Sequence, residues 1–141
     1  MSKEMERTIS AWCSDNGAAL TVSFDAAQIT AELRANIEKR LLKKGVAVRW
    51  NGQETGSELV IRVVAMDQGN QFLRWLLPFI APAVLEVEGQ VGLDGSTPEP
   101  FHYNQRAQAG LLGGSAQGML KVNAQRVGHK IADDVLRSMG R

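Results

Sequence analysis

Hydrophobic positions in this chain fall into a few clearly patterned stretches. From Glu58 to Met66 the residues read Glu-Leu-Val-Ile-Arg-Val-Val-Ala-Met, β-branched and apolar enough for a strand with at least one buried face. From Val84 to Leu93 the alternation is cleaner. Leu85, Val87, Val91 and Leu93 share one face, while Glu86, Glu88 and Gln90 share the other. A period of two with one wet face is the pattern of an antiparallel sheet. Pairing these two stretches brings Arg62 near Glu88 or Glu86 on the wet face.

Two other stretches carry the helical period. Ile29, Leu33, Ile37 and Leu41 recur every fourth residue, predicting a helix from Asp25 to about Lys44. Asp25 with Gln28 has the spacing of a capping box, and Gly45 stands where a left-handed C-cap belongs. The last turn is basic, Lys39-Arg40 and Lys43-Lys44, which suits the helix dipole as a solvated end. The second helix spans roughly Ala116 to Met139. Its apolar stripe is Leu120, Ala124, Val127, Ile131, Val135 and Leu136, with Lys121, Arg126, Lys130 and Asp134 off it.

Shorter strands complete the pattern. Ala18–Phe24 follows an Asp15-Asn-Gly17 turn signal, and Val46–Trp50 follows Gly45. Asp94–Pro100 is too rich in proline for a strand, so the returning strand is placed at Phe101–Ala109, with Phe101, Tyr103 and Ala107 facing inward. Residues 1–17 form an uncertain N-terminal segment in which Glu4–Trp12 suits a short helix or an edge strand. The expectation is an α+β fold in a single domain over 18–139. It has a four- to five-stranded, mostly antiparallel sheet with two amphipathic helices packed on one face.

Composition narrows the function classes. At 141 residues, with 44% hydrophobic and 22% charged residues, the chain has the make-up of one globular domain. Sixteen basic against fifteen acidic residues leave a net charge of +1, so no bulk field favours nucleic acid. The single cysteine, Cys13, excludes an internal disulfide and offers no metal cluster. Met1–Arg7 is not followed by an apolar run of signal-peptide length, so the sequence as given reads as cytoplasmic.

Candidate chemistry is sparse. Gly113-Gly-Ser-Ala-Gln-Gly118 has the glycine spacing of a P-loop, but Met119 and Leu120 stand where a lysine and a hydroxyl residue are needed. His102 and His129 lack a second ligand at metal spacing, and both are expected at the surface. Glu86 and Glu88 lie on one strand face without an opposed carboxylate. No catalytic residue, metal or cofactor follows from these residues; an enzyme built on Cys13 or His102 is the weakest of three functional readings.

The stretch 72–82 is unusual. Phe72, Leu73, Trp75, Leu76, Leu77, Phe79 and Ile80 sit between two strands, where a connection is normally polar. Arg74 and Pro78 break it, and it is too short to span a bilayer. Three readings stay open: it folds back as core, it forms an oligomer or partner interface, or it touches a membrane surface. Phe72, Trp75, Leu76, Phe79 and Ile80 are the interface candidates, and Arg74 is expected to make a fixed structural contact.

Gly56-Ser-Glu-Leu-Val-Ile-Arg-Val-Val, then Gly69-Asn70-Gln-Phe-Leu73-Arg74-Trp-Leu, then a strand and Gly110-Leu-Leu-Gly113-Gly114 resemble a bacterial domain family of unknown function. Many of its members are small envelope lipoproteins. The likeness covers about residues 18–138 and rests on a Gly-x-x-x-Leu-Arg turn and a late Gly-Gly. Where the family is usually glycine-rich, this chain has Pro78-Phe-Ile-Ala-Pro82, and it shows neither the family's leader nor its lipid-bearing cysteine. The family is more distantly similar to curli-export-type lipoproteins. The resemblance implies a cell-envelope location and a non-catalytic binding or assembly role, with a protein partner or self-association. The alternative expectation is a small-molecule or lipid-binding module with a pocket between sheet and helices.

Overall fold

The computed structural model describes residues 7–52, 56–68, 83–94, 96–107 and 116–140. Eight elements follow in chain order: β1 Arg7–Ser14, β2 Ala19–Thr21, α1 Ala27–Leu42, β3 Val46–Trp50, β4 Glu58–Asp67, β5 Ala83–Gly92, β6 Glu99–Ala107 and α2 Ala116–Ser138. The sheet runs β3-β1-β4-β5-β6, with β2 pairing the far end of β4.

The fold is α+β with two helices on one face of the sheet, but the sheet has six strands where four or five are expected. It is also mixed. β1 pairs parallel with both β3 and β4, and β2 pairs parallel with β4, while β4–β5 and β5–β6 are the long antiparallel ladders. Arg7–Ser14 is therefore neither a helix nor an edge strand; it lies between β3 and β4. The two neighbours are staggered along it, β3 against Arg7–Ala11 and β4 against Ser10–Ser14. The Asn51 N–H donates to Ala11 O at 2.9 Å and the Ser10 N–H to Ser57 O at 3.0 Å. Ser10 is consequently fully buried although it lies on the face without helices.

Other boundaries move for local reasons. Only Ala19–Thr21 of the Ala18–Phe24 stretch is strand, and its side chains are exposed. The strand β6 begins at Glu99 and includes Pro100, which an outermost strand tolerates because its N–H side needs no partner. The capping box does not form. Asp25 Oδ1 instead accepts the Ala27 N–H at 3.0 Å, and Gln28 bonds Gln117 of α2. The other end of α1 is as the spacing predicts, with Gly45 left-handed at φ 81°.

The core lies between the sheet and the helix pair. Ile29, Leu33, Ile37 and Leu41 of α1 and Leu120, Ala124, Val127, Ile131 and Val135 of α2 are fully buried against Ile9, Leu59, Val63, Leu85 and Val87. The helices touch closely at Gly128, where a Cβ would stand 2.9 Å from Asn36 Cβ and 3.3 Å from the Leu33 carbonyl oxygen. Within the sheet, Gly89 has a similar role. Its Cβ position is 2.0 Å from the Val60 carbonyl oxygen and 2.6 Å from the Phe101 ring, which covers the glycine from β6.

Candidate interaction site

Every sequence-predicted site residue lies outside the described residues: Phe72, Trp75, Leu76, Phe79 and Ile80, and the motif positions Gly69, Asn70, Leu73, Arg74, Gly113 and Gly114. The strands nevertheless fix where those segments attach. Asp67 at the end of β4 pairs with Val84 near the start of β5, and Ala83 pairs with Ala107 at the end of β6. The 69–82 segment therefore leaves and rejoins the sheet at the same end of the domain at which 108–115 leaves β6 for α2.

That end is built by polar ties between elements. Asn123, fully buried on α2, donates from Nδ2 to the carbonyl of Ala83 at 3.0 Å, so the helix holds the first residue of β5. Gln68, just past β4, accepts from the Ser23 N–H at 2.8 Å and from Ser23 Oγ at 3.0 Å. Beside them Leu20 of β2 is 45% exposed, a large apolar side chain open to solvent at the same end.

The helix-free face of the sheet carries a ladder of charge. Arg62 Nη1 bonds Glu88 Oε1 at 2.7 Å, the cross-strand pair expected from the sequence. His102 Nε2 meets Glu86 Oε2 at 2.6 Å. Arg62, Glu88 and His102 line a shallow groove of about 540 Å³ with the apolar surfaces of Val60, Pro100 and Phe101. Both side chains of the Arg62–Glu88 pair are solvent-exposed, which limits it to about 1 kcal/mol or less.

A second cleft, of about 270 Å³, lies where β6 meets the end of α2, lined by Val91, Phe101, Tyr103, Asp134 and Arg137 among others. Asp134 is turned toward the sheet, where it accepts hydrogen bonds from the Tyr103 hydroxyl and from Arg137. Burial first, and the Asp134 carboxylate second, push the Tyr103 phenol above its ordinary value, so it stays a donor.

Nucleophilic chemistry finds little support. Burial pushes the Cys13 thiol up to about 11, so the thiolate is scarce at neutral pH. Among the described residues no three His, Cys, Asp or Glu side chains are grouped to hold a metal ion. His129 is half-buried at the seam of the two helices rather than at the free surface, because the close approach at Gly128 brings α1 over it.

Compared by sequence, the chain matches no family model and no curated protein. Compared by structure, it matches a Xanthomonas campestris protein of family DUF330 with a TM-score of 0.62 and 9% identity, over 97% of this chain and 87% of that one. It matches PelC from Paraburkholderia phytofirmans, crystallised as a dodecamer, with a TM-score of 0.52 and 11% identity, over 93% and 88%. A Caulobacter crescentus protein described as a lipoprotein gives 0.50 and 11%, over 86% and 90%. The likeness is one of fold. This chain has the α+β architecture found in a DUF330 protein and in lipoprotein-type bacterial proteins, over nearly its whole length. Among the described residues no helix is long and apolar enough to cross a membrane.

Proposed function

We propose that the chain is a non-catalytic binding and assembly domain of the bacterial cell envelope, which associates through the apolar 72–82 segment and the sheet end that carries it. The observation behind this reading is the attachment point. Seven large apolar residues lie in the sequence between β4 and β5, whose ends meet where Leu20 is already exposed. That many large apolar residues in a connection between strands fit a contact surface. The fold shared with PelC, a dodecamer in its crystals, supports self-association, and the lipoprotein-type relatives in fold support an envelope setting. Hydrogen exchange measured on dilute and on concentrated protein tests the location. Amides of 68–85 gaining protection with concentration is the expected outcome; protection independent of concentration, or gained only elsewhere, removes this surface.

The cleft between β6 and α2 favours a second reading, a small-molecule or lipid module. The remaining guanidinium N–H groups of Arg137 offer donors to a carboxylate head, and Val91 and Phe101 offer an apolar wall. Thermal stabilisation of delipidated protein by a fatty acid, lost in Arg137→Glu, is its signature.

A further inference from the structure

The remaining surface with chemistry of its own lies on the opposite side of the molecule, on the outer seam of the helix pair. Here α1 contributes Asn36, Lys39, Arg40 and Lys43, and α2 contributes Gln125 and His129, around a half-enclosed groove of about 250 Å³. One cation is already answered: Arg40 bonds Asp133 through Nε at 2.8 Å and Nη2 at 3.4 Å. No carboxylate is paired with Lys39 or Lys43 among the described residues. Lys39, Arg40 and Lys43 less Asp133 leave two positive charges on one groove, with the His129 imidazole in the same lining.

A solvated helix end accounts for basic residues in the last turn of α1. It does not account for their convergence with a half-buried histidine and the Gln125 carboxamide of α2, the Asn36 Nδ2 being held by Glu32 O at 2.7 Å and Glu32 Oε1 at 3.2 Å. Lysines four apart on a helix repel each other, which favours a shared counter-ion over solvent alone. The partial negative charge at the α1 C-terminus opposes an anion, but it is about half a unit against two whole ones. A carboxylate has two oxygens to offer this set of donors. A phosphate group has three or more, and matches two ammonium groups, an imidazole N–H and a carboxamide N–H together.

We propose that this groove binds a phosphate group, carried by a free phosphate compound or by an anionic phospholipid, on Lys39, Lys43 and His129. The site shares no residue with the proposed assembly surface at the sheet end. In the empty groove, burial and the neighbouring Arg40, Lys43 and Lys39 hold the His129 imidazole below its ordinary value, with Asp133 opposing them. An anion seated beside it must raise that value, so filling the groove moves the His129 titration upward.

The test is an NMR titration of the two histidines, His102 serving as internal control on the far face. Inorganic phosphate is compared with chloride at equal ionic strength, and phosphatidylcholine vesicles with and without phosphatidylglycerol supply the lipid arm. The expected result is that phosphate, or the phosphatidylglycerol vesicles, raises the His129 titration midpoint and leaves His102 in place. Response to phosphate assigns a soluble ligand; response to the vesicles alone assigns a headgroup. Lys39→Ala/Lys43→Ala weakens the effect about tenfold, the size of two exposed ionic contacts. No shift of His129 in either arm, or an equal shift in the double variant, overturns the proposal. Circular dichroism of that variant confirms its fold, since both lysines are exposed.

Discussion

Substituting Gly128 by alanine sets two effects of known sign against each other. Alanine in a helix interior is favoured over glycine by about 1 kcal/mol, so on propensity alone Gly128→Ala stabilises the protein. The packing says otherwise. The new Cβ would stand 2.9 Å from Asn36 Cβ, 3.3 Å from the Leu33 carbonyl oxygen and 3.4 Å from the Ile37 nitrogen. These are not the ends of flexible side chains that could swing away. Relief requires α1 itself to retreat by a few tenths of an ångström, loosening Leu33 and Ile37, both fully buried, against the α2 stripe. Overpacking of this kind costs about 1–3 kcal/mol, and the rigid neighbours place it at the upper end. The net expectation is a loss of about 1–2 kcal/mol, or a fall in Tm of about 3–8 °C for a domain of this size. Urea unfolding of wild type, Gly128→Ala and Gly128→Val decides it, with valine expected to cost more than alanine. A Gly128→Ala variant more stable than wild type would show that propensity wins and that the helices do not approach as described.

Gly89→Ala tests the sheet in the same way but without a compensating gain. The Val60 carbonyl oxygen, 2.0 Å from the Cβ position, belongs to a paired strand and cannot yield, so the loss is expected to exceed about 3 kcal/mol; a folded variant within 1 kcal/mol of wild type in urea contradicts it. For Cys13, a folded value of about 11 against 9.0 for the free thiol means that its contribution is fully present below pH 9.0 and is lost as pH rises toward 11. That loss amounts to about 2–3 kcal/mol and is absent in Cys13→Ala, so equal alkaline limbs in the two stability profiles refute the burial. Arg62→Ala removes a pair whose two side chains are each 46% exposed, and a change of no more than about 1 kcal/mol is expected; a larger loss means the open face is covered in solution.

Much of this architecture was legible from periodicity. The β4 and β5 stretches, the Arg62–Glu88 cross-strand pair, and both helical stripes stand where the spacing places them, because each has one face to bury and says so locally. The parallel half of the sheet was not legible. Arg7–Ser14 reads Arg-Thr-Ile-Ser-Ala-Trp-Cys-Ser, weakly patterned, since its polar positions Ser10 and Ser14 lie on the helix-free face and Ser10 is buried only by its neighbours in space. Parallel pairing with β3 and β4 is non-local, and no turn signal announces it. Pro100 hid the start of β6 because proline weighs against strand everywhere except at an outer edge. The helix-seam groove depends on how two helices dock, which residue spacing within one helix does not contain. Gly128, an interior helix glycine without a local reason, was the available signal.

Association through the apolar segment between β4 and β5 is read out by light scattering. The solution mass of wild type is measured over a range of concentrations beside Trp75→Ser/Phe79→Ser. The expected result is a wild-type mass of several chains that falls to a single chain in the double variant, with the circular dichroism of the two indistinguishable. A wild type that remains a single chain at every concentration, with a double variant that has merely lost stability, would contradict it and make the segment part of the core.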